Sequence, residues 1–447
     1  MQENNNFKQE SYFKHPLFFQ VIFLCLFILI GMAYSTLILA SNSQILDSII
    51  TIFFLLASVC STYYIFKNNS YYCWALILGI HLGIFLGIVI FSPPQNTIWV
   101  IDSLTSHKPN ALIHAESFAA GRFPSTHSPQ GNATHFWIGF FFFLFGNNIY
   151  ASVIGQYILK IFTCFLIFSL GKNLLNKKLG ELSCTIYALS PTPLFYTTVF
   201  YKEFMVHFLY VAIMYFLYKS IISQKKLSAL LNILLIFPFF YLIMLERFYF
   251  LVLLSSSFFI FLFNKNKKTI IAKATLLCFI LYYVITKYSL SYQFLSVNLQ
   301  TIASLRAKNL EFLDILHSYN YNIPYILALV KIILTPFFSL NKFTIFFDFA
   351  QLLIWGSFVH QFIVLTAMSS FVLYLLHFRR YVVFLSFGMP FLLFILFAAY
   401  ISPWAGRIRD SFYPLISIFA ALFFLSIKKN NLRKIPFNIE FQKIRGC

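Results

Sequence analysis

Between two long apolar runs the chain reads QNTIWVIDSLTSHKPNALIHAESFAAGRFPSTHSPQGNATH, residues 95–135. Roughly 40 residues is far beyond an ordinary connection between elements, and such loops are as a rule either functional or disordered. This one mixes Trp99, Ile101, Leu112, Ile113 and Phe118 with Asp102, Lys108, Glu116, Arg122 and four histidines. It can therefore pack while presenting titratable groups, and it is the expected reaction site. Within it LIHAESFAAG has apolar residues at helical spacing and a Gly exit, which predicts a short helix on the membrane surface. The following THFWIGFFFFLFGNN is too short to span comfortably and ends in a turn signal, so it is expected partly in the interface, with the next span starting at Ile149.

The runs on either side of this loop set the class. A chain of 447 residues that is 60% hydrophobic and only 10% charged is incompatible with a soluble domain. Apolar stretches long enough to cross about 30 Å of hydrocarbon recur along nearly the whole chain, and a helix satisfies its own backbone there, whereas a barrel would show alternation. The expected fold is an all-α polytopic membrane protein. About twelve transmembrane helices are expected, at about 16–40, 46–66, 71–93, 148–170, 180–200, 204–222, 228–244, 248–263, 270–288, 357–377, 381–401 and 411–427. The six cysteines before the last residue fall inside apolar runs, and no CxxC spacing exists.

Net charge is +20, which in a soluble protein would suggest nucleic acid. Here the positive-inside rule accounts for it, and no nucleic-acid partner is expected. With both termini cytoplasmic, the connectors on that side carry Lys67, Lys172, Lys177, Lys178, Lys225, Lys226, Lys265, Lys267, Lys268, Arg379 and Arg380, followed by a basic tail. Of the acids, only Glu3, Glu10, Glu181 and Glu440 share that side. The outer side then holds both signs, a setting suited to chemistry, although the bias alone also follows from topology.

Two other outward regions add candidates. The hairpin in SPTPLFYTTVFYKEFMVHFLYVAIMYFLYK turns at Tyr201-Lys202-Glu203, and ionisable groups so close to hydrocarbon are functional candidates unless they snorkel to headgroups. Glu246-Arg247 in the next outward turn is expected to neutralise itself. Residues 289–356 begin and end outside, so their apolar half, broken at Thr335-Pro336, is expected to form interfacial or re-entrant helices, with Arg306 and Lys308 on the polar approach. In the last outer loop, SPWAGRIRDSFYP, the planar donors Arg407 and Arg409 suit phosphate. His81 and His207 lie in apolar runs and are expected to bond a neighbouring carbonyl.

The order of these motifs resembles the membrane-embedded GT-C glycosyltransferases that use polyprenyl-phosphate sugars, among them protein O-mannosyltransferases and lipid A aminoarabinose transferases. The likeness lies in IWVIDS, AESFAAGRFP, FLFGNN, SPTPLFYTTVFYKE, LTPFF and RIRDSFYPLISIFAAL, which touch about three quarters of the chain. It implies a glycosyltransferase of inverting type that moves a sugar from a polyprenyl-phosphate donor to a glycan, lipid or protein acceptor at the outer face. The membrane would be the bacterial inner (cytoplasmic) one, with the site facing the periplasm or exterior. The resemblance assigns the general base to Asp102. The family's usual acidic pair reads Asp102-Ser103 here, which keeps Glu116 as a rival. The phosphate leaves unprotonated, so one base can suffice. Lys202, Arg407 and Arg409 would hold the donor phosphate, and Glu203, His107, His114, Arg122 and Arg306 would line the substrate.

The expected layout is a tail with two additional spans over residues 1–70, a GT-C-like core over 71–288 containing the outer loop, an outer region over 289–356, C-terminal spans over 357–427 and a basic cytoplasmic tail over 428–447. No cofactor is expected. His107, His114, His127 and His135 could ligate a divalent cation, but their spacing matches no zinc pattern. Two other classes fit parts of the chain. A flippase or transporter of a lipid-linked glycan would show an internal repeat and mid-membrane polar groups. An O-antigen polymerase or ligase would carry its large polar loop late in the chain.

The orientation has a direct test. In a cysteine-free background, Ser125→Cys should react with an impermeant thiol reagent in intact cells, and reaction only after permeabilisation would reverse the topology.

Overall fold

The computed structural model describes residues 25–32, 70–91, 106–123, 132–190, 193–194, 200, 202–246, 257–258, 262, 269–290, 357–377 and 411–428, and every regular element among them is a helix. The helices are α1 (Ser70–Phe91), α2 (Lys108–Ala119), α3 (Asn132–Phe145), α4 (Ile149–Leu174), α5 (Lys177–Leu189), α6 (Glu203–Ile222), α7 (Lys226–Glu246), α8 (Ile270–Leu290), α9 (Ser357–His377) and α10 (Tyr413–Lys428). The protein is an all-α polytopic membrane protein. Among the described residues α4, α6 and α7 are long and apolar enough to cross a membrane. The expected spans at 46–66 and 381–401 lie outside the described residues, as do the larger parts of 16–40 and 248–263.

The chain divides into two compact units, Met1–Ser92 and Pro93–Cys447. In the first, helical residues 25–32 approach α1 closely, because Gly31 and Gly83 face each other. A methyl group on Gly83 would collide with the Ile28 carbonyl and come within 2.9 Å of the Gly31 Cα. His81 on α1 bonds the Ile77 carbonyl at 2.6 Å through Nδ1, as expected of a histidine in an apolar run.

The second unit opens with the loop helix. Pro109 stands in the first turn of α2, where its missing N–H costs nothing. Gly121 ends the helix at φ 65°, letting the Arg122 N–H reach the Ser117 carbonyl at 2.9 Å. The next helix, α3, ends in the same way. Gly146 takes φ 82° and donates to the Phe142 carbonyl at 2.9 Å, and the Asn148 side chain then caps α4 by accepting from the Ala151 N–H at 2.9 Å. At 14 residues α3 is about 21 Å long, too short for the hydrocarbon core, which agrees with its expected interfacial place.

The expected span at 180–200 needs correction. Helix α5 begins at Lys177, capped by Asn176, and stops at Leu189 after 13 residues, about 20 Å. Pro191 disfavours helical geometry at Ser190, whose ψ is 143°. A helical bond resumes beyond it, with the Leu194 N–H donating to the Ser190 carbonyl at 3.0 Å. The apolar run is therefore broken.

Small residues set how closely the helices pack, as they do where burial in lipid supplies no drive. Helices α4 and α5 meet at Gly171 and Gly180, where a methyl group on Gly171 would lie 2.9 Å from the Gly180 Cα. Helix α6 packs on α4 and α7, and α10 packs on α5 and α9. Helices α2 and α3 lie together, joined by edge contacts of Phe118 with Phe136 and Phe140 at 5.1 and 5.8 Å between centroids. A methyl group on Gly139 would meet the Ala111 carbonyl at 2.6 Å and the His114 Cβ at 2.7 Å.

Gly139→Ala should accordingly force α2 off α3 and lower stability by about 1–3 kcal/mol, the usual cost of overpacking. Thermal melting of the purified protein in detergent reads this, and an unchanged melting temperature would contradict the close α2–α3 contact.

Candidate active site

Helices α2, α3, α6 and α7 bring one end of each to a shared polar cluster above an apolar floor. The floor consists of Ala111, Ile138, Phe141, Phe142, Ala151 and Phe200, all buried, with Leu112, Trp137 and Ile154 against it. Trp137 fixes α3 on α4 by donating Nε1–H to the Gly155 carbonyl at 2.9 Å. On this floor stand His107 from the start of α2 and His135 from the start of α3. Both are buried, and His107 Nδ1 bonds His135 Nε2 at 2.9 Å. Phe200 packs on the His107 ring at 5.7 Å between centroids.

The first turn of α3 sits in protein rather than in water, so its backbone donors need partners. One comes from 112 residues further along the chain. The Thr134 N–H donates to Glu246 Oε1 at 2.6 Å, and Glu246 is fully buried at the end of α7. A carboxylate there is favoured by the N-terminal dipole as well as by the hydrogen bond. Glu246 thus serves α3; of the expected Glu246–Arg247 pair, Arg247 lies outside the described residues.

The expected site residues divide into three groups. His107 and His114 enter the cluster, both buried, with His114 on the face of α2 that meets α3. Lys202 and Glu203 open α6 beside it. Lys202 is half-buried and Glu203 is fully enclosed by protein, which removes headgroup snorkelling as its explanation. Glu116 and Arg122 are exposed, and the structure does not bring them into the cluster. Asp102, Arg306, Arg407 and Arg409 lie outside the described residues, as does His127. Among the described residues no group of three or more His, Cys, Asp or Glu is arranged to hold a metal ion.

Three residues were missed as site candidates. His135 figures in the sequence only as one of four possible cation ligands, and its burial against α2 is a tertiary fact. Thr134 carried no signal beyond its place before an apolar helix. Lys160 lies in mid-α4, where hydropathy reads one continuous span. It is fully buried, donates to the Pro193 carbonyl at 3.3 Å and lies 5.8 Å from the Phe204 ring centroid. A lone lysine in an apolar run is a signal in itself. Nearby, His207 Nδ1 and the Tyr187 hydroxyl are hydrogen-bonded at 3.0 Å.

Burial, then the charges of His107, His114 and Lys202, push the His135 imidazole down to about 3 from 6.5. The unfolded chain therefore takes up a proton near pH 6.5 that the folded site refuses until near 3. Stability is complete above about pH 6.5 and falls as the pH drops through that window, by at most about 1.4 kcal/mol per pH unit for one group. Melting temperatures measured from pH 8 to 5 should fall for the wild type and flatten for His135→Asn. Parallel curves would remove His135 as the responsible group.

Residues 130–292, roughly a third of the chain, match the model of the dolichyl-phosphate-mannose-protein mannosyltransferase family. No curated protein and no solved structure shows significant similarity to it. The matched segment contains Thr134, His135, Lys202, Glu203 and Glu246, the part of the cluster carried by α3, α6 and α7, and also the buried Lys160 of α4. The likeness drawn from the motifs thus rests on a family match as well: across this segment the chain is similar to the GT-C membrane glycosyltransferases that take their sugar from a polyprenyl phosphate.

Proposed function

We propose that the protein transfers a hexose or pentose from a polyprenyl-phosphate donor to a hydroxyl of a cell-envelope glycan, lipid or protein, at the outer face of a bacterial inner membrane. The observation that carries this reading is the family match over 130–292, which contains the buried polar cluster. The membrane setting supplies a lipid-anchored donor, and the cluster has buried hydrogen-bonding groups of the kind that recognise a sugar.

In the proposed step Asp102 takes the proton of the acceptor hydroxyl. The oxygen attacks the anomeric carbon from the face opposite the phosphate, and the phosphate departs with the bonding electrons, inverting the centre. The leaving group needs no proton, so the remaining requirement is positive charge. Lys202, at the start of α6 beside His135, is assigned to the phosphate, together with Arg407 and Arg409 of the last outer loop. Glu203, His107 and His114 are assigned to the substrate pocket, with Arg122 and Arg306 on its approach. Glu116 is the second acid of the loop, and its exposed position on α2 suits a lesser part. The step as written involves no cofactor and no metal.

A general base must be ionised, so Asp102→Asn should keep the fold while cutting transfer by roughly 100-fold or more, and Glu116→Gln should cost less. The assay is sugar transfer from a polyprenyl-phosphate-linked donor by the purified protein. Inactivity of Glu116→Gln with Asp102→Asn near wild type would reverse the assignment. Indifference to both would show the loop to be structural.

A further inference from the structure

We infer that the first turn of α3 is a subsite for a hydroxyl of the donor sugar, built from Thr134 Oγ1 and His135 Nδ1. The inference rests on the donor reading above and deepens it.

Thr134 and His135 are each only 1% exposed. Among the described residues neither Thr134 Oγ1 nor His135 Nδ1 has a hydrogen-bond partner. Buried polar atoms are mostly satisfied, and two adjacent exceptions on one helical turn would both be met by a single polar occupant. Their neighbours are fully engaged elsewhere. The Thr134 N–H is held by Glu246, and His135 Nε2 by His107. What the turn still offers is one hydroxyl and one imidazole nitrogen.

The chemistry of those two groups selects the occupant. A neutral imidazole carries one donor and one acceptor, so the His107 bond leaves Nδ1 with whichever role Nε2 does not take. Thr134 Oγ1 can donate or accept. An alcohol hydroxyl does both and matches either tautomer. An ionised phosphate accepts only, and it would sit beside the buried Glu246 carboxylate, which already occupies the positive end of α3. A neutral polyol fits, and a second anion does not. Position favours the donor: Lys202, assigned above to the phosphate, opens α6 close enough for its charge to act on His135, so a sugar on that phosphate would come within reach of this turn.

The test compares binding of three short-chain lipids to the full-length protein: bare polyprenyl phosphate, its mannosyl ester and its glucosyl ester. The wild type should prefer a glycosylated lipid. Thr134→Val, close to isosteric, should weaken the preferred glycosyl lipid by roughly 10-fold and leave the bare lipid within about twofold. His135→Gln, which keeps an amide near Nε2 but leaves nothing at Nδ1, should do the same. His135→Asn, which keeps a polar atom near Nδ1, should retain much of the preference. Equal losses for bare and glycosylated lipids would make the turn structural and overturn the subsite. Unchanged binding in both variants would overturn it too, leaving water as the only occupant. If the wild type binds all three lipids alike, the subsite falls while the donor reading stands. If it binds none, the donor reading itself fails.

Discussion

A helix that starts inside protein, near hydrocarbon, has no water to satisfy its first N–H groups, and the arrangement around α3 follows from that constraint. Each such group left bare costs on the order of 1–3 kcal/mol. At 14 residues α3 cannot carry its ends through to opposite membrane surfaces, so its first turn needs partners from the protein. Glu246 is that partner, at 2.6 Å from the Thr134 nitrogen. The bond places the end of α7 against the start of α3, and this sets His135 beside His107 at the start of α2. Gly139 lets α2 lie close enough for the two rings to meet.

The same economy governs deeper polar groups. Lys160 is enclosed between helices and directs its ammonium at the Pro193 carbonyl, just past the break in the helical run at Ser190. The broken backbone provides an acceptor in the bundle, and the lysine provides a donor for it. Tyr187 and His207 form a comparable pair between α5 and α6. These pairs tie α5 to its neighbours although α5 is short for a span, and the chain beyond them leads to Phe200, Lys202 and Glu203.

How much of this could be read from the sequence varied with the distance over which a contact acts. Helix ends set by local chemistry were legible. The helix Ser357–His377 covers the residues at which a helical segment is expected, and the glycine exits at Gly121 and Gly146 are visible as turn signals. The end of α5 was misplaced even though Ser190-Pro191 was plain, because hydropathy over twenty residues outweighed a two-residue breaker. The candidate site was legible only in outline. The loop and its histidines stood out by polarity, and Lys202 and Glu203 by their position. The bond from Thr134 to Glu246 joins residues 112 apart, and nothing local to Thr134 announces it. Lys160 was hidden by averaging across a span.

Charge placement in the cluster follows one logic. Glu203 stands in the first turn of α6 and Glu246 at the first turn of α3, so both buried carboxylates lie at helix N-termini, where the backbone dipole offsets negative charge. Much of their compensation therefore comes from peptide groups that cannot move or titrate. The positive charge of Lys202 reaches His135 and, with burial, holds its ring neutral. A phosphate arriving at Lys202 would meet a cation, while the sugar behind it would meet neutral groups. An anion-first, polyol-second order is what a sugar phosphate presents from lipid to sugar, and the cluster offers it without relying on a mobile proton.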